Sequence, residues 1–317
     1  MKAIITGATG GLGRNLGAYL KSKGWEVIGF GQNQEIGNVL GYRFKPFDLS
    51  DEAAALACFE SCDVVFHCAA RSKPWGAYEL FYKDNVQATK NVIKAMQKYK
   101  IPKLVHVSTP SIYFDFTNQK NVKESDVSQV FVNAYAQSKY EAEQLVLASG
   151  IDVAIIRPRG IFGEYDTVLI PRLEKVANRG FLPTIKERNA LIDVTYVGNV
   201  VYAMYLCATK EIPNKSIFNI TNDEPIEINN LFSLVMKHLD KEVKYKAFRY
   251  STLMGIASLM EFYAKLTTGK EPILTKYGVG LISYDQTLDI EKAKDILGYC
   301  PQYTIEEGLE RYAKSRD

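Results

Sequence analysis

Residues 2–15 read "KAIITGATGGLGRN". An apolar, β-branched run opens into a turn in which Gly7, Gly10 and Gly13 are spaced three apart, and a helical pattern begins near Leu12. So tight a turn needs the backbone freedom of glycine. A helix that starts at its end offers free N–H groups and the positive end of its dipole to a phosphate. Glycines also serve as plain turn formers, but the strand–turn–helix setting favours a dinucleotide pyrophosphate held close to the main chain.

The alternation continues outward from there. Short β-branched runs at 26–30 (EVIGF), 42–47 (YRFKPF), 63–70 (DVVFHCAA), 103–109 (KLVHVST) and 152–158 (DVAIIRP) alternate with helical patterns. Such repetition predicts a parallel sheet with helices on both faces. Several strands are almost continuously apolar, as two covered faces require. The expected fold class is α/β, a doubly wound parallel sheet. Past Pro158, loops with Gly and Pro are interleaved with helices expected at 197–209, 228–240, 250–266, 290–297 and 304–315. A dinucleotide-binding domain over 1–160 and a smaller, mostly helical substrate-binding portion over 161–317 follow, with a soft boundary and some later segments returning to the sheet.

With 317 residues, 47% hydrophobic and 24% charged, the chain has material for one large domain or two joined ones. Its net charge of +3 is scattered, without the basic stripe that nucleic-acid binding requires, so nucleic acid is not an expected partner. The N-terminus enters a strand without an apolar signal core, which makes the cytoplasm the expected location. No apolar run approaches the ~20 residues of a membrane span. The nearest, "STLMGIASLMEFYAKL" at 251–266, is interrupted by Glu261. Leu253, Ile256, Ala257, Met260 and Ala264 recur in it at helical spacing. Three readings compete for this stripe: an apolar lid over a hydrophobic substrate, peripheral lipid contact, and plain core packing. Five cysteines, Cys58, Cys62, Cys68, Cys207 and Cys300, give no disulfide framework, and nothing stands at zinc spacing, so no metal is expected. Monomer and homodimer both remain open.

In "NAYAQSKYEAEQL", residues 133–145, Tyr135 and Lys139 lie one helical turn apart. Any long helix places some such pair by chance. The chemical reading is that an ammonium beside a phenol favours phenolate and brings its proton within reach of neutral-pH chemistry.

Together with "YAQSK", the Gly7, Gly10, Gly13 spacing resembles the extended branch of the short-chain dehydrogenase/reductase superfamily, which carries a Rossmann-like sheet domain. Further matches are "VHVSTPSIY", "KDNVQATKN", "HCAA", "DLSD" at 48–51 and "RPRGIFG". Within that branch, "RSKPWGAYELFYKDNV", "STPSIY", "LIDVTYVGNV" and "KEPILTKYGVGLISYDQTLDIEKAKDILGY" look like the 3β-hydroxysteroid dehydrogenase group and the bacterial 2-alkyl-3-oxoalkanoate reductases.

The resemblance implies an NAD(P)-dependent oxidoreductase that interconverts a secondary alcohol and a ketone on a steroid-like or β-keto-lipid-like substrate. A nucleotide-sugar 4-epimerase and a non-catalytic NAD(P)-sensing protein are the alternatives. It makes Tyr135 the proton donor and acceptor, Lys139 its partner and the holder of the nicotinamide ribose, and Thr109 the hydroxyl that orients the substrate oxygen. Ser108 and Ser111 are neighbours able to take the place of Thr109. For the cofactor it implies Gly7, Thr9, Gly10, Gly11, Leu12 and Gly13 in the turn, and Gln32 and Asn33 after the second strand. Asp48 and Leu49 match the adenine contact, although Asp48 alone also fits a turn or a cap at Ser50. Cys68, Ala69 and Ala70 close the fourth strand, Asn85 organises backbone, and Ser108 and Pro158 end later strands. Trp75, Ser111 and Arg159 are expected at the substrate, with a solvated loop position as the equal alternative for Arg159. The second strand lacks the acidic residue of NAD-preferring proteins; Gly31 stands near that position, and Gln32, Asn33 and Arg14 offer donors, so NADP(H) is favoured over NAD(H).

Overall fold

In the computed structural model, which describes residues 1–267 and 269–316, seven strands form one sheet: β1 (Lys2–Thr6), β2 (Glu26–Gly31), β3 (Arg43–Pro46), β4 (Val64–His67), β5 (Lys103–Val107), β6 (Asp152–Pro158) and β7 (Ser216–Ile220). Their order is β7-β6-β5-β4-β1-β2-β3, and every pairing is parallel. The chain therefore winds outward from β1 in both directions. The crevice between β1 and β4, at their carboxyl ends, is the switch point where such sheets hold ligands.

Strand periodicity accounts for the two covered faces. Ala3, Ile5, Val64, Phe66, Val105 and Ile156 pack with Leu16 and Leu20 of α1 (Gly11–Ser22). Ile4, Val65, Leu104 and Ile155 point the other way, onto Val92 and Met96 of α2 (Ala88–Lys98) and Val146 of α3 (Ala134–Leu147). Residues past 160 also serve this sheet. Val200 and Met204 of α4 (Val197–Thr209) join the first cluster, and Ser216–Ile220 pairs along β6. That seventh strand is not among the six runs named from sequence; what makes it a strand is the open edge of β6.

The helices expected at 197–209, 228–240, 250–266, 290–297 and 304–315 are present, the fourth of them winding as a π-helix over Ala293–Leu297. The stripe on α5 (Tyr250–Leu266) behaves as core. Leu253 and Ala257 are buried with Ile185 and Val279, the latter on the short helix α6 (Lys276–Leu281). Ala264 is buried as well, while Ile256 turns outward at 41% exposure. Leu253 and Ala257 thus back α6, because a helix buries its apolar face against the nearest apolar partner, while Met260 and Ala264 line a cavity of about 380 Å³. The opposite face leaves Leu259, Phe262, Tyr263 and Leu266 each at least 65% exposed. Among the described residues no helix is long and apolar enough to cross a membrane.

Candidate active site

The carboxyl end of β5 runs into Ser108 and Thr109, and Thr109 caps a single 3-10 turn, Pro110–Ile112, accepting from the Ser111 amide at 3.2 Å. Opposite it starts α3, capped by Asn133, whose side chain accepts from the Ala136 amide at 2.8 Å. The cap fixes the helix start, so Tyr135, Lys139 and Glu143 fall on successive turns of one face.

A chain of hydroxyls results. Tyr135 lies near Thr109, whose hydroxyl acts to lower the phenol's pKa. Thr109 donates to Ser111 Oγ at 3.1 Å, which lies 2.8 Å from Tyr277 Oη on α6. Ser108 Oγ is buried without a hydrogen-bond partner among the described residues, so of the three neighbouring hydroxyls only Thr109 and Ser111 join the chain.

The electrostatics differ from the expectation for Tyr135. Lys139 Nζ donates to the Val107 carbonyl at 2.7 Å, and burial pushes the Tyr135 phenol up to about 12, against the Thr109 hydroxyl that lowers it. Lys139 is itself brought down to about 8 by burial, with Glu143 and Cys68 opposing. In the protein alone, desolvation outweighs the phenol–ammonium coupling that the i,i+4 spacing promises.

Beside this cluster a cleft of about 470 Å³ is lined by Gly7, Thr9, Gly10, Gly31, Gln32, Asp48, Leu49, Cys68, Ala69, Ala70, Arg71 and Lys73. Its floor is a close crossing of main chain. A Cβ on Gly7, where φ is +70°, would lie 2.7 Å from the Ala69 nitrogen, and one on Gly31 would lie 2.8 Å from Thr9 Oγ1. Gly11, Leu12 and Gly13 form the first turn of α1, directly after Gly10 of the cleft lining. These features fit a dinucleotide: backbone stripped of side chains where a pyrophosphate must approach, and a helix N-terminus to receive it.

Several sequence-named residues have local duties. Asn33 Oδ1 caps the helix Gln34–Asn38 at the Ile36 amide. Arg14 stacks on the Tyr165 ring, its Cζ 3.4 Å from the centroid. Asp48 binds the Ser50 amide and hydroxyl and pairs with Lys83 at 2.9 Å; the cap of the following helix is Asp51. Asn85 lies in a π-helical turn, Tyr82–Gln87, where it accepts from the Arg71 amide at 2.7 Å and donates to Ser138 Oγ at 2.9 Å. It thereby ties the loop after β4 to α3, as π-turns at functional sites commonly do. Trp75 donates to the Gly269 carbonyl at 3.1 Å, joining that loop to the segment after α5. Pro158 is buried at the end of β6, and Arg159 follows it, half-buried, with Nε enclosed and unpartnered.

Sequence reading missed Tyr277, Ser138 and Glu143. The last had a signal, since it continues the Tyr135, Lys139 spacing by one more turn. Tyr277 had none, being 166 residues from Ser111.

The model of the NAD dependent epimerase/dehydratase family matches residues 3–221. The uncharacterized protein YbjS of Escherichia coli is 34% identical, over 99% of this chain and 97% of its own. A 2-alkyl-3-oxoalkanoate reductase of Stenotrophomonas maltophilia is 31% identical over 99% of each. A crystal structure of UDP-glucose 4-epimerase superposes with a TM-score of 0.79 at 18% identity, over 100% of this chain and 97% of that one, a likeness of fold. The chain belongs to the NAD dependent epimerase/dehydratase family and is an NAD(P)-dependent enzyme of the extended short-chain dehydrogenase/reductase type.

Proposed function

We propose that this enzyme interconverts a ketone and a secondary alcohol on a hydrophobic, β-keto-lipid-like or steroid-like substrate. The observation that carries the reading is the hydroxyl chain of Thr109, Ser111 and Tyr277 beside Tyr135, with Lys139 on the Tyr135 face of α3 and the dinucleotide cleft alongside. The dinucleotide supplies or accepts the hydride. Tyr135 gives the substrate oxygen its proton, and Thr109 or Ser111 donates a hydrogen bond to it as negative charge develops. Bound cofactor excludes water from Lys139 and brings it a ribose to hold. Residues 161–317, apart from α4 and β7, close the substrate side.

NADP(H) is the favoured cofactor: Gly31 ends β2 without a carboxylate, Gln32 lines the cleft, and Lys73 adds a positive charge to its rim, where Arg71 is paired with Asp84 at 2.7 Å. The outer face of α5 suits an anionic lipid surface from which such a substrate is drawn. Its exposed Leu259, Phe262, Tyr263 and Leu266 are flanked by Lys265, which lies over the Trp75 ring, and the Trp75 loop carries Lys73. Five free thiols suit a reduced compartment, the cytoplasm.

The deciding experiment follows NADH and NADPH oxidation, and the reverse, against hydroxysteroids, β-keto acids and esters, and nucleotide sugars. Turnover of a hydrophobic ketone or alcohol is expected. Epimerisation of a nucleotide sugar with no turnover of the others would overturn the reading.

A further inference from the structure

We infer that Tyr277 is a positioning residue of this site: its phenol donates to Ser111 and turns the Ser111 hydroxyl toward the substrate oxygen. This rests on the reading above and chooses between the two hydroxyls that it leaves open.

The protons of the chain can be followed one by one. Thr109 has a single hydroxyl proton, which goes to Ser111 Oγ at 3.1 Å, while the Ser111 amide donates to Thr109 Oγ1 at 3.2 Å. Thr109 is thus engaged both as donor and as acceptor, and it is buried at 6% exposure. Ser111 is half-buried, and its Oγ lies 2.8 Å from Tyr277 Oη in a geometry that lets either oxygen donate. If Ser111 donated, its proton would be spent on the tyrosine. With Tyr277 donating, Ser111 keeps its own proton free.

Acidity selects the second arrangement. A phenol is a much stronger acid than an alkanol and therefore the better donor of the two. Burial raises the pKa of Tyr277, so its proton is in place at neutral pH. With Thr109 and Tyr277 both donating to it, Ser111 Oγ is polarised and its O–H becomes a stronger donor in turn. That proton is the one left for an oxygen on which negative charge develops.

Tyr277 is held in place by contacts that do not use its hydroxyl. Thr275 caps α6, accepting from the Gly278 amide at 3.0 Å, and the Lys276 amide donates to Glu261 of α5 at 2.7 Å. Val279 is buried with Leu253 and Ala257 of α5. The Tyr277 ring itself stands edge-on to Phe114, with centroids 5.8 Å apart. The sheet domain therefore supplies Tyr135, Lys139, Thr109 and Ser111, and the C-terminal portion supplies the phenol that sets the last rotor.

The test is a double-mutant cycle on the enzyme reducing a medium-chain β-keto ester with NADPH. Tyr277→Phe removes the hydroxyl and keeps the ring. It should lower kcat about 2–10-fold, the scale of one hydrogen bond, and leave the KM of the ester and the dissociation constant of NADPH unchanged. Ser111→Ala should lower kcat further, and in that background Tyr277→Phe should have no effect, since its action runs through Ser111. Unchanged melting temperatures show that the variants fold. An unchanged kcat in Tyr277→Phe, or the same loss with and without Ser111, would overturn the inference while leaving ketone reduction intact. A second measurement needs no turnover. In protein isotope-labelled at tyrosine Cζ, with NADPH bound in half-deuterated water, a donating hydroxyl exchanges slowly and gives a pair of resonances. The Tyr277 pair, identified by its disappearance in Tyr277→Phe, should collapse to one line in Ser111→Ala. A single Tyr277 line in the wild type would overturn the inference. If no ketone is reduced, the functional reading fails, and the paired resonance decides the inference by itself.

Discussion

Glu143 grips Arg157 in a two-pronged ion pair inside the protein: Arg157 Nε donates to Glu143 Oε2 at 3.1 Å and Nη2 donates to Oε1, with the two side chains 1% and 2% exposed. Arg157 spends Nη1 on Tyr113 Oη at 2.6 Å and on the Glu124 carbonyl at 2.7 Å. Because Glu143 lies one turn beyond Lys139 on α3, this pair docks α3 onto the end of β6. Removing one partner leaves a buried charge alone, so Glu143→Leu or Arg157→Met should each cost roughly 3–5 kcal/mol. The double variant should lose clearly less than the sum, read from denaturant midpoints in a double-mutant cycle. Simple additivity would show that the pair is not coupled.

Tyr135→Phe keeps the ring and removes the proton. Turnover should fall by about 10²–10⁴-fold with dinucleotide affinity kept, as for the loss of a general acid. Unchanged turnover would remove Tyr135 from the reaction.

Lys139 gives a pH signature. Its pKa is brought from 10.5 down to about 8 by burial, so between those values the unfolded chain holds a proton that the folded chain has released. Stability of the cofactor-free protein should therefore rise with pH across that window, and the gain should be complete above about 10.5. Lys139→Met should flatten this part of the curve, measured as denaturation midpoints from pH 7 upward. An identical slope in the variant would refute the assignment.

Dissociation constants for NADPH and NADH, measured by nicotinamide fluorescence, should favour NADPH. Gly31 and Gln32 line the cleft at the end of β2, the position we propose for the 2′-phosphate, and carry no carboxylate to repel it. Tighter NADH binding would reverse the preference.

The two faces of α5 should respond differently. Leu253→Ala, in the core beside Val279, should cost about 2–5 kcal/mol. The pair Leu259→Ser and Phe262→Ser, at 72% and 65% exposure, should change stability by no more than roughly 0.5 kcal/mol per site. The same pair should reduce sedimentation with vesicles of mixed phosphatidylglycerol and phosphatidylcholine. Equal sedimentation would exclude the lipid surface as the partner of this face.

By itself the sequence determined what is local and periodic. The turn at Gly7–Gly13, six strands of the sheet and the helix that stacks Tyr135 on Lys139 all follow from hydrophobic period, glycine spacing and capping residues that act within a few positions. Tertiary structure decided what depends on burial and on distant segments. The seventh strand exists because β6 offers an edge. The α5 stripe became core because α6 lies against it, and Tyr135 is held high because partial burial disfavours its phenolate. Tyr277 meets Ser111, and Arg159 is left without a partner, only once chain segments far apart in sequence close over the end of the sheet; no spacing rule within one element encodes that.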